Sequence, residues 1–333
     1  MKRKNLYQIL GEIKDDHILN GLVELKYQKG TNKEIDSADY STLSTQISSE
    51  FERYLSDLID DESVFFQTML LEEINNKTIF SGHLKTFYGY AFQQFTAYLN
   101  LSVITSNDYF LQHEVIDKNR ENKDKIELLK ILNGISIRIA REVLCLLENG
   151  FPHGALSRWR SIYEIWIITE YIDLHDNDMA IKFINHKKSD SNYSWAKSSK
   201  CPPNSKGKYT FELLQKYIHE ELDKDSSIKS TTGLLYSDWI DEYRLSNKIL
   251  HIDSTGIFGS WDTQHKDKNN QLYTNASDVG FEKPASNTLG CLYNINRIAL
   301  SSLKAKNDPL ALHLLRNMCD KAIESFEKAN SQS

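Results

Sequence analysis

Proline is scarce in this sequence. Only five prolines occur, at positions 152, 202, 203, 284 and 309, and none lies before residue 152. Proline breaks a helix because it lacks the amide donor and clashes with the preceding turn. Glycine, the other common helix breaker, is also sparse, with 14 among 333 residues. Long uninterrupted helices are therefore predicted for the N-terminal part of the chain.

Cysteine is scarce as well. The four cysteines, Cys145, Cys201, Cys291 and Cys319, are widely separated and form no CxxC pair. This spacing disfavours both a zinc knuckle and a disulfide framework. The four side chains are interpreted as free thiols in packing positions. The histidines contain no HExxH motif, so no metal and no cofactor are expected.

Long hydrophobic runs are absent. The longest purely aliphatic or aromatic run, Ile165 to Ile168, falls far short of the roughly 20 residues that a membrane-spanning helix requires. The basic first residues, Met1 to Lys4, lead into charged and polar positions instead of the apolar stretch of an export signal. The sequence therefore predicts a cytoplasmic protein without a membrane partner.

A large excess of positive charge is also lacking. Lysine and arginine number 40 against 46 aspartate and glutamate residues, which gives a formal net charge of −6. This balance argues against a protein that coats nucleic acid through bulk positive charge, although it leaves a local basic site open. The lysines of the loop at 197, 200, 206 and 208 could meet RNA phosphates or could simply be solvated.

Apolar residues recur at helical spacing along most of the chain. The N-terminal stripes are Leu6, Ile9, Leu10 and Ile13, then Leu19, Leu22 and Leu25, and later Phe51, Leu55, Leu58 and Ile59. A third stretch, from Leu84 to Ile104, is rich in aromatic residues. Such stripes usually fill a core or an oligomer interface, and this interpretation is preferred over a base-stacking platform.

Further along, the pattern predicts an antiparallel hairpin of two helices over 125–174. Its turn carries the stop signal Asn149-Gly150, followed by Pro152 at the start of the second helix. Helices are then expected near 209–223, 234–251 and 286–325, with a break at 307–309 and polar loops at 189–208 and 253–290. The prediction is an all-α multi-helix bundle over 116–333, with an N-terminal helical segment over 1–115.

The stretch from Gly150 to Glu164, GFPHGALSRWRSIYE, resembles a bacterial all-helical domain of unknown function family, number 5677. In that family a helix closing on glycine precedes a helix that carries arginine, an aromatic residue and glutamate. A later family helix carries tyrosine, serine and histidine, matched here by Tyr243, Ser246 and His251 with altered spacing. The resemblance covers roughly 125–305, and it implies an all-helical fold without implying an activity.

Within this stretch Arg160 and Glu164 are four residues apart, so the two side chains can form an ion pair on one helix face. The surrounding residues are apolar on nearly all sides, which predicts a central helix and a desolvated charged pair. Two interpretations remain open. The pair, with Arg158, ties helices together through carbonyls and polar partners, or it supports a site on a neighbouring helix, together with Tyr243 and Ser246.

A second motif runs from Arg244 to His251. These residues are seven positions apart, about two helical turns and about 10 Å along the axis, with Asn247 between them. The motif resembles the Arg-x(4–6)-His signature of the HEPN superfamily, which includes metal-independent ribonucleases that work as dimers. The resemblance implies His251 as the acid or base on the ribose 2′-hydroxyl. Arg244 would stabilise the charge on phosphorus, and Asn247 would be the polar residue of the motif.

The leading hypothesis is therefore a HEPN-like metal-independent endoribonuclease that cleaves RNA as a homo-oligomer and serves as a toxin or antiviral-defence effector. Its site would contain Arg244, Asn247 and His251, with Arg160, Glu164, Tyr243 and Ser246 in support. The alternative is a non-catalytic helical interaction or scaffold protein that binds a partner protein, for example within a defence complex. In that case His251 is a helix-terminal histidine held by a carboxylate or a carbonyl.

Overall fold

The computed structural model describes residues 37–116, 122–186, 193–224, 236–250, 280–302 and 308–332. The regular elements in these ranges are eight α-helices and one 3₁₀ turn, Ser194–Ala196. The helices are α1 (Ser37–Ile116), α2 (Lys123–Glu148), α3 (Pro152–Asp173), α4 (Asn177–Ile184), α5 (Phe211–Lys224), α6 (Tyr236–Leu250), α7 (Glu282–Ser301) and α8 (Asp308–Asn330). The predicted all-α fold is confirmed for this part of the chain.

None of the helices in the described ranges is both long enough and apolar enough to cross a membrane. The four cysteines are free, as predicted, and three of them, Cys201, Cys291 and Cys319, are buried. The predicted apolar stripes between residues 6 and 25 lie outside the described residues.

The chain divides into two compact units, an N-terminal unit (Met1–Thr78) and a C-terminal unit (Ile79–Ser333). Helix α1 runs through this division, and in the N-terminal unit its side chains are described from Phe66 onward. Several of them are large, apolar and more than half exposed: Met69, Leu70, Leu71 and Ile74. This part of α1 therefore presents an apolar surface.

The predicted boundary between residues 115 and 116 lies at the end of α1, whereas the C-terminal unit begins earlier, at Ile79. The reason is the aromatic stretch of that helix, whose side chains enter the core. The Tyr88 ring lies 4.9 Å from that of Phe281, and Phe92 and Phe95 pack against Phe326. The preference for a core over a base-stacking platform is confirmed for these buried rings, whereas Tyr90 is exposed.

Helices α2 and α3 form the predicted antiparallel hairpin. Helix α2 ends at Glu148, and Gly150 follows with a φ of 79°, a left-handed conformation that glycine adopts without a steric penalty. Pro152 occupies the first turn of α3, where its missing amide hydrogen costs nothing. At the other end of the hairpin, the Lys125 ammonium donates to the backbone carbonyls of Asp173 and His175.

Helix α3 is central, as its apolar composition predicts. It packs against α2, α5, α6 and α7, and its rings Trp159, Tyr163 and Trp166 are completely buried. The indole of Trp239 from α6 lies 5.4 Å from that of Trp166. This aromatic contact helps to seat α6 on α3, so the two sequence motifs come from directly packed helices.

The prediction that residues 253–290 form one polar loop was wrong at its C-terminal end, because α7 begins at Glu282. The helix predicted from 286 therefore starts four residues earlier, although it carries serine, asparagine and threonine, which normally lower helix propensity. Here Asn287, Thr288 and Asn294 are buried inside the bundle. Tertiary packing therefore outweighs the local preference of these residues.

Candidate functional site at the junction of helices α3 and α6

Three polar side chains meet where α6 crosses α3. Glu164 Oε1 accepts hydrogen bonds from Arg160 Nε at 3.0 Å and from the Tyr243 hydroxyl at 2.8 Å. The guanidinium of Arg160 also lies over the Tyr243 ring, 5.2 Å from its centroid. The ion pair predicted from the spacing of Arg160 and Glu164 is therefore present. The hydrogen bond from Tyr243 links this ion pair to α6, the helix of the second motif.

The cluster is less buried than its apolar surroundings suggest. The side chains of Arg160 and Glu164 are 29% and 33% exposed, so both charges keep part of their hydration. The expectation of a desolvated pair is therefore wrong, because α3 turns this edge toward solvent while its aromatic face fills the core. A partly hydrated pair avoids most of the cost of several kcal/mol per buried ion.

The members of this cluster shift one another's pKa values. Burial, followed by the hydrogen bond and charge of Glu164, raises the pKa of the Tyr243 hydroxyl. Burial alone would lower the pKa of Arg160, but Tyr243 and Glu164 reverse that effect and raise it. Burial and the negative charge of Glu164 also raise the pKa of Tyr193. At neutral pH the cluster thus contains neutral phenols around one ion pair.

A second polar group lies on the buried side of α3. The Tyr163 hydroxyl accepts a hydrogen bond from Gln215 Nε2 at 2.7 Å and lies 2.8 Å from His219 Nε2. Burial lowers the pKa of His219 to about 4, so its imidazole is neutral at physiological pH. Because this nitrogen accepts the phenol proton, the pair connects α3 to α5 within the core.

The motif residues on α6 differ in their surroundings. The Arg244 side chain is 70% exposed and pairs with Asp241 at 3.3 Å. Ser246 is buried and donates to the backbone carbonyl of Tyr243. Asn247 is half-buried, and its buried Oδ1 has no hydrogen-bond partner in the described part of the chain. His251, the predicted acid or base, lies outside the described residues.

One contact near the site has a partner that the sequence did not indicate. Arg158 forms an ion pair with Glu142 of α2, which fastens the hairpin beside the candidate site. The two residues lie on different helices, so no periodicity links them. Within the described ranges, no group of three histidine, cysteine, aspartate or glutamate side chains could hold a metal ion.

A comparison with protein families gives a match over the region that contains this site. Residues 127–278 match a family of unknown function, DUF5677. The match includes the Gly150–Glu164 stretch, which confirms the resemblance predicted from that stretch, and it also includes Tyr243, Arg244 and His251. No curated protein and no solved structure matches the chain. The HEPN resemblance therefore stays a prediction from the Arg244–His251 spacing.

Proposed function

We propose that the chain is a metal-independent endoribonuclease of the HEPN type that acts as a homodimer. Arg244 and His251 are the catalytic residues, Asn247 assists them, and Arg160, Glu164, Tyr243 and Ser246 position their helix. We further propose a biological role as a toxin or antiviral-defence effector, since HEPN ribonucleases act in such systems.

The reaction follows from the chemistry of the two side chains. His251 removes the proton of a ribose 2′-hydroxyl, and the 2′-oxygen forms a bond to the adjacent phosphorus. The bond from phosphorus to the 5′-oxygen breaks, and that oxygen receives a proton from an imidazolium. The Arg244 guanidinium, which is charged at every physiological pH, binds the phosphate oxygens as their charge increases.

The exposure of Arg244 is the main support for this proposal. Its only ion pair within the described residues joins it to Asp241, which is itself 77% exposed. Such surface pairs contribute at most about 1 kcal/mol, so a phosphate can displace Asp241 at little cost. A structural arginine would be expected to be held more firmly, as Arg160 is.

The anchoring of α6 is the second support. Tyr243, the residue before Arg244, is buried and donates to Glu164, which also accepts from Arg160. This contact limits rotation of α6 about its own axis, so the direction of Arg244 is defined. The unsatisfied Oδ1 of Asn247 lies on the same helix, and a group of the bound RNA that donates a hydrogen bond would satisfy it.

The test is RNA cleavage by the purified full-length chain in the presence of EDTA. We expect His251→Ala to lower the cleavage rate by about 10²- to 10⁴-fold and Arg244→Ala by about 10²-fold. Arg138→Ala is the matched control, because Arg138 is an exposed arginine on α2. Its rate should equal that of the wild type.

Three outcomes would contradict the proposal. They are cleavage that EDTA abolishes, cleavage that survives in His251→Ala, and the absence of any cleavage of total RNA by a dimeric preparation. Circular dichroism of each variant confirms folding, since replacing an exposed arginine changes stability by less than about 0.5 kcal/mol.

A non-catalytic interaction module is the second candidate, favoured by the apolar surface of α1. Met69, Leu70, Leu71 and Ile74 are each more than half exposed. We propose that this surface packs against the same surface of a second copy, because two identical apolar stripes are complementary in a helix pair. In this case the chain acts as a homo-oligomeric scaffold.

The oligomeric state tests this second candidate. Light scattering after size exclusion should show a homo-oligomer that Leu70→Asp with Ile74→Asp converts to a monomer. The control is Leu310→Asp, an exposed leucine on α8, which should leave the oligomer intact. A wild-type monomer, or an oligomer unaffected by the double substitution, would overturn it.

A further inference from the structure

A serine and a histidine lie against each other beyond the C-terminal end of α3, away from the motifs discussed above. Ser198 follows the 3₁₀ turn, and its Oγ lies 3.2 Å from His175 Nε2. The other imidazole nitrogen, Nδ1, lies 2.7 Å from the backbone carbonyl oxygen of Tyr171. The backbone amide of Cys201 donates to Ser198 Oγ at 3.1 Å.

The partners of the imidazole determine its proton positions. A carbonyl oxygen can only accept, so Nδ1 carries a hydrogen, and in the neutral ring Nε2 has a free lone pair. The Tyr171 hydroxyl donates its single proton to the carbonyl of Ala196. Tyr171 therefore has no proton to offer Ser198, which lies 3.1 Å from its hydroxyl. The Ser198 hydroxyl is left to donate to His175 Nε2, the strongest acceptor near it.

The surroundings keep this imidazole neutral. Burial, with a contribution from the positive charges of Lys200 and Lys125, lowers the pKa of His175, while the Tyr171 carbonyl and Asp176 act in the opposite direction. The Tyr171 ring stacks on the imidazole with centroids 4.4 Å apart, which holds its orientation. A neutral, oriented imidazole that accepts from a serine hydroxyl is the arrangement that activates serine as a nucleophile.

Ser198 also borders an open groove. The groove has a volume of about 610 Å³ and is lined by Lys182, Lys197, Ser198, Ser199, Tyr209 and the Pro202-Pro203 pair. Lys182 and Lys197 are both exposed, and no acidic side chain lines the groove within the described residues. A bound molecule with a negative charge is therefore favoured over a neutral or cationic one.

We propose that Ser198 is a nucleophile activated by His175, and that its substrates are carboxylic esters bearing a negative charge. Ser198 Oγ forms a bond to the ester carbonyl carbon while its proton moves to His175 Nε2. The bond from that carbon to the alkoxy oxygen breaks, and the departing alcohol takes the proton from Nε2. Water then hydrolyses the acyl-serine by the same path. The hydrogen bond from the Cys201 amide holds the serine oxygen in place beside His175. This site is independent of the proposed ribonuclease.

A fluorophosphonate probe tests the nucleophile directly, because attack by Ser198 forms a phosphorus–oxygen bond and releases fluoride. The folded full-length chain should gain one adduct, which peptide mass mapping places on Ser198. The rate should fall at least about 10²-fold in His175→Gln, and the adduct should be absent in Ser198→Ala. Ser194→Ala, which changes an exposed serine of the 3₁₀ turn that does not line the groove, should label like the wild type.

The charge preference is tested with two nitrophenyl esters, neutral acetate and anionic succinate. Lys182→Glu with Lys197→Glu should slow acylation by the succinate ester by about tenfold or more relative to acylation by the acetate ester. An equal effect on both esters overturns the anionic substrate class. A wild-type chain that gains no adduct on Ser198, or the same rate in His175→Gln, overturns the nucleophile, and neither result affects the ribonuclease assay.

Discussion

Replacing Arg297 by methionine is expected to lower the free energy of unfolding of the C-terminal unit by about 3–5 kcal/mol. Arg297 Nη2 donates to Glu170 Oε1 at 2.7 Å, and the Glu170 side chain is only 6% exposed. Glu170 also accepts from Trp166 Nε1 at 3.1 Å. Without the guanidinium, α3 retains a buried carboxylate with a single neutral donor, which is the costly arrangement.

The loss of unfolding free energy in Arg297→Met depends on pH. Burial raises the pKa of Glu170, and the charge of Arg297 partly opposes this rise. Removing Arg297 therefore raises this pKa further, so the folded variant binds a proton more readily than the folded wild type. The deficit is largest at pH values above the pKa of Glu170 in the variant, where this carboxylate is ionised with and without Arg297. It shrinks as the pH falls and Glu170 becomes protonated.

Guanidinium unfolding followed by tryptophan fluorescence measures this effect, because all five tryptophans belong to the C-terminal unit. The matched control is Arg316→Met, which removes a 45% exposed arginine paired with Asp320 at 3.7 Å. It should cost less than about 1 kcal/mol. Arg297→Met with Glu170→Gln should recover much of the loss, since no charge is then buried. Equal losses for Arg297→Met and Arg316→Met would contradict the prediction.

Asn296→Ala is expected to cost about 3 kcal/mol, because Asn296 is the centre of a buried polar cluster. Its Oδ1 accepts from Asn133 Nδ2 at 2.6 Å, and its Nδ2 donates to Ser102 Oγ at 2.9 Å and to the Tyr98 hydroxyl at 3.3 Å. These contacts join α7 to α2 and α1. In the variant the buried Asn133 amide loses its acceptor and a small cavity replaces the side chain.

The same unfolding measurement applies, with Asn317→Ala as the control. Asn317 is exposed and bonds His313 one turn away on α8, so its loss should stay within about 0.5 kcal/mol. A double-mutant cycle with Asn133→Ala should give a coupling of about 1–3 kcal/mol between the two asparagines. Additive losses would show that the two amides do not stabilise the fold through each other.

The parts of the fold that follow from local signals could be predicted. The hairpin of α2 and α3 was predicted over 125–174 and is observed over 123–173, because a glycine stop and a proline start determine its turn. The Arg160–Glu164 ion pair could also be predicted from a local signal, since both partners lie on one helix four residues apart. The buried aromatic rings of α1 were recognised by their helical spacing.

The parts that depend on distant partners could not be predicted. The start of α7 was predicted at 286 and lies at Glu282. The residues before 286 end a polar stretch of the sequence, and only the tertiary structure shows Phe281, Pro284 and Ala285 buried in the core. The pairing of Ser198 with His175 was missed because it joins the end of α3 to a loop 23 residues later. No periodicity or motif connects two such positions.

The candidate site likewise has features that the sequence determines and features that only tertiary packing determines. Its residue types and their spacing on each helix are properties of the sequence, as are the all-α class and the helix order. Only the tertiary structure places Tyr243 on Glu164, 79 residues away, and leaves Arg244 in solvent. The physical reason is that helix periodicity specifies which face of a helix is apolar, whereas the neighbour that covers that face is selected by packing and hydrogen bonding across the whole bundle.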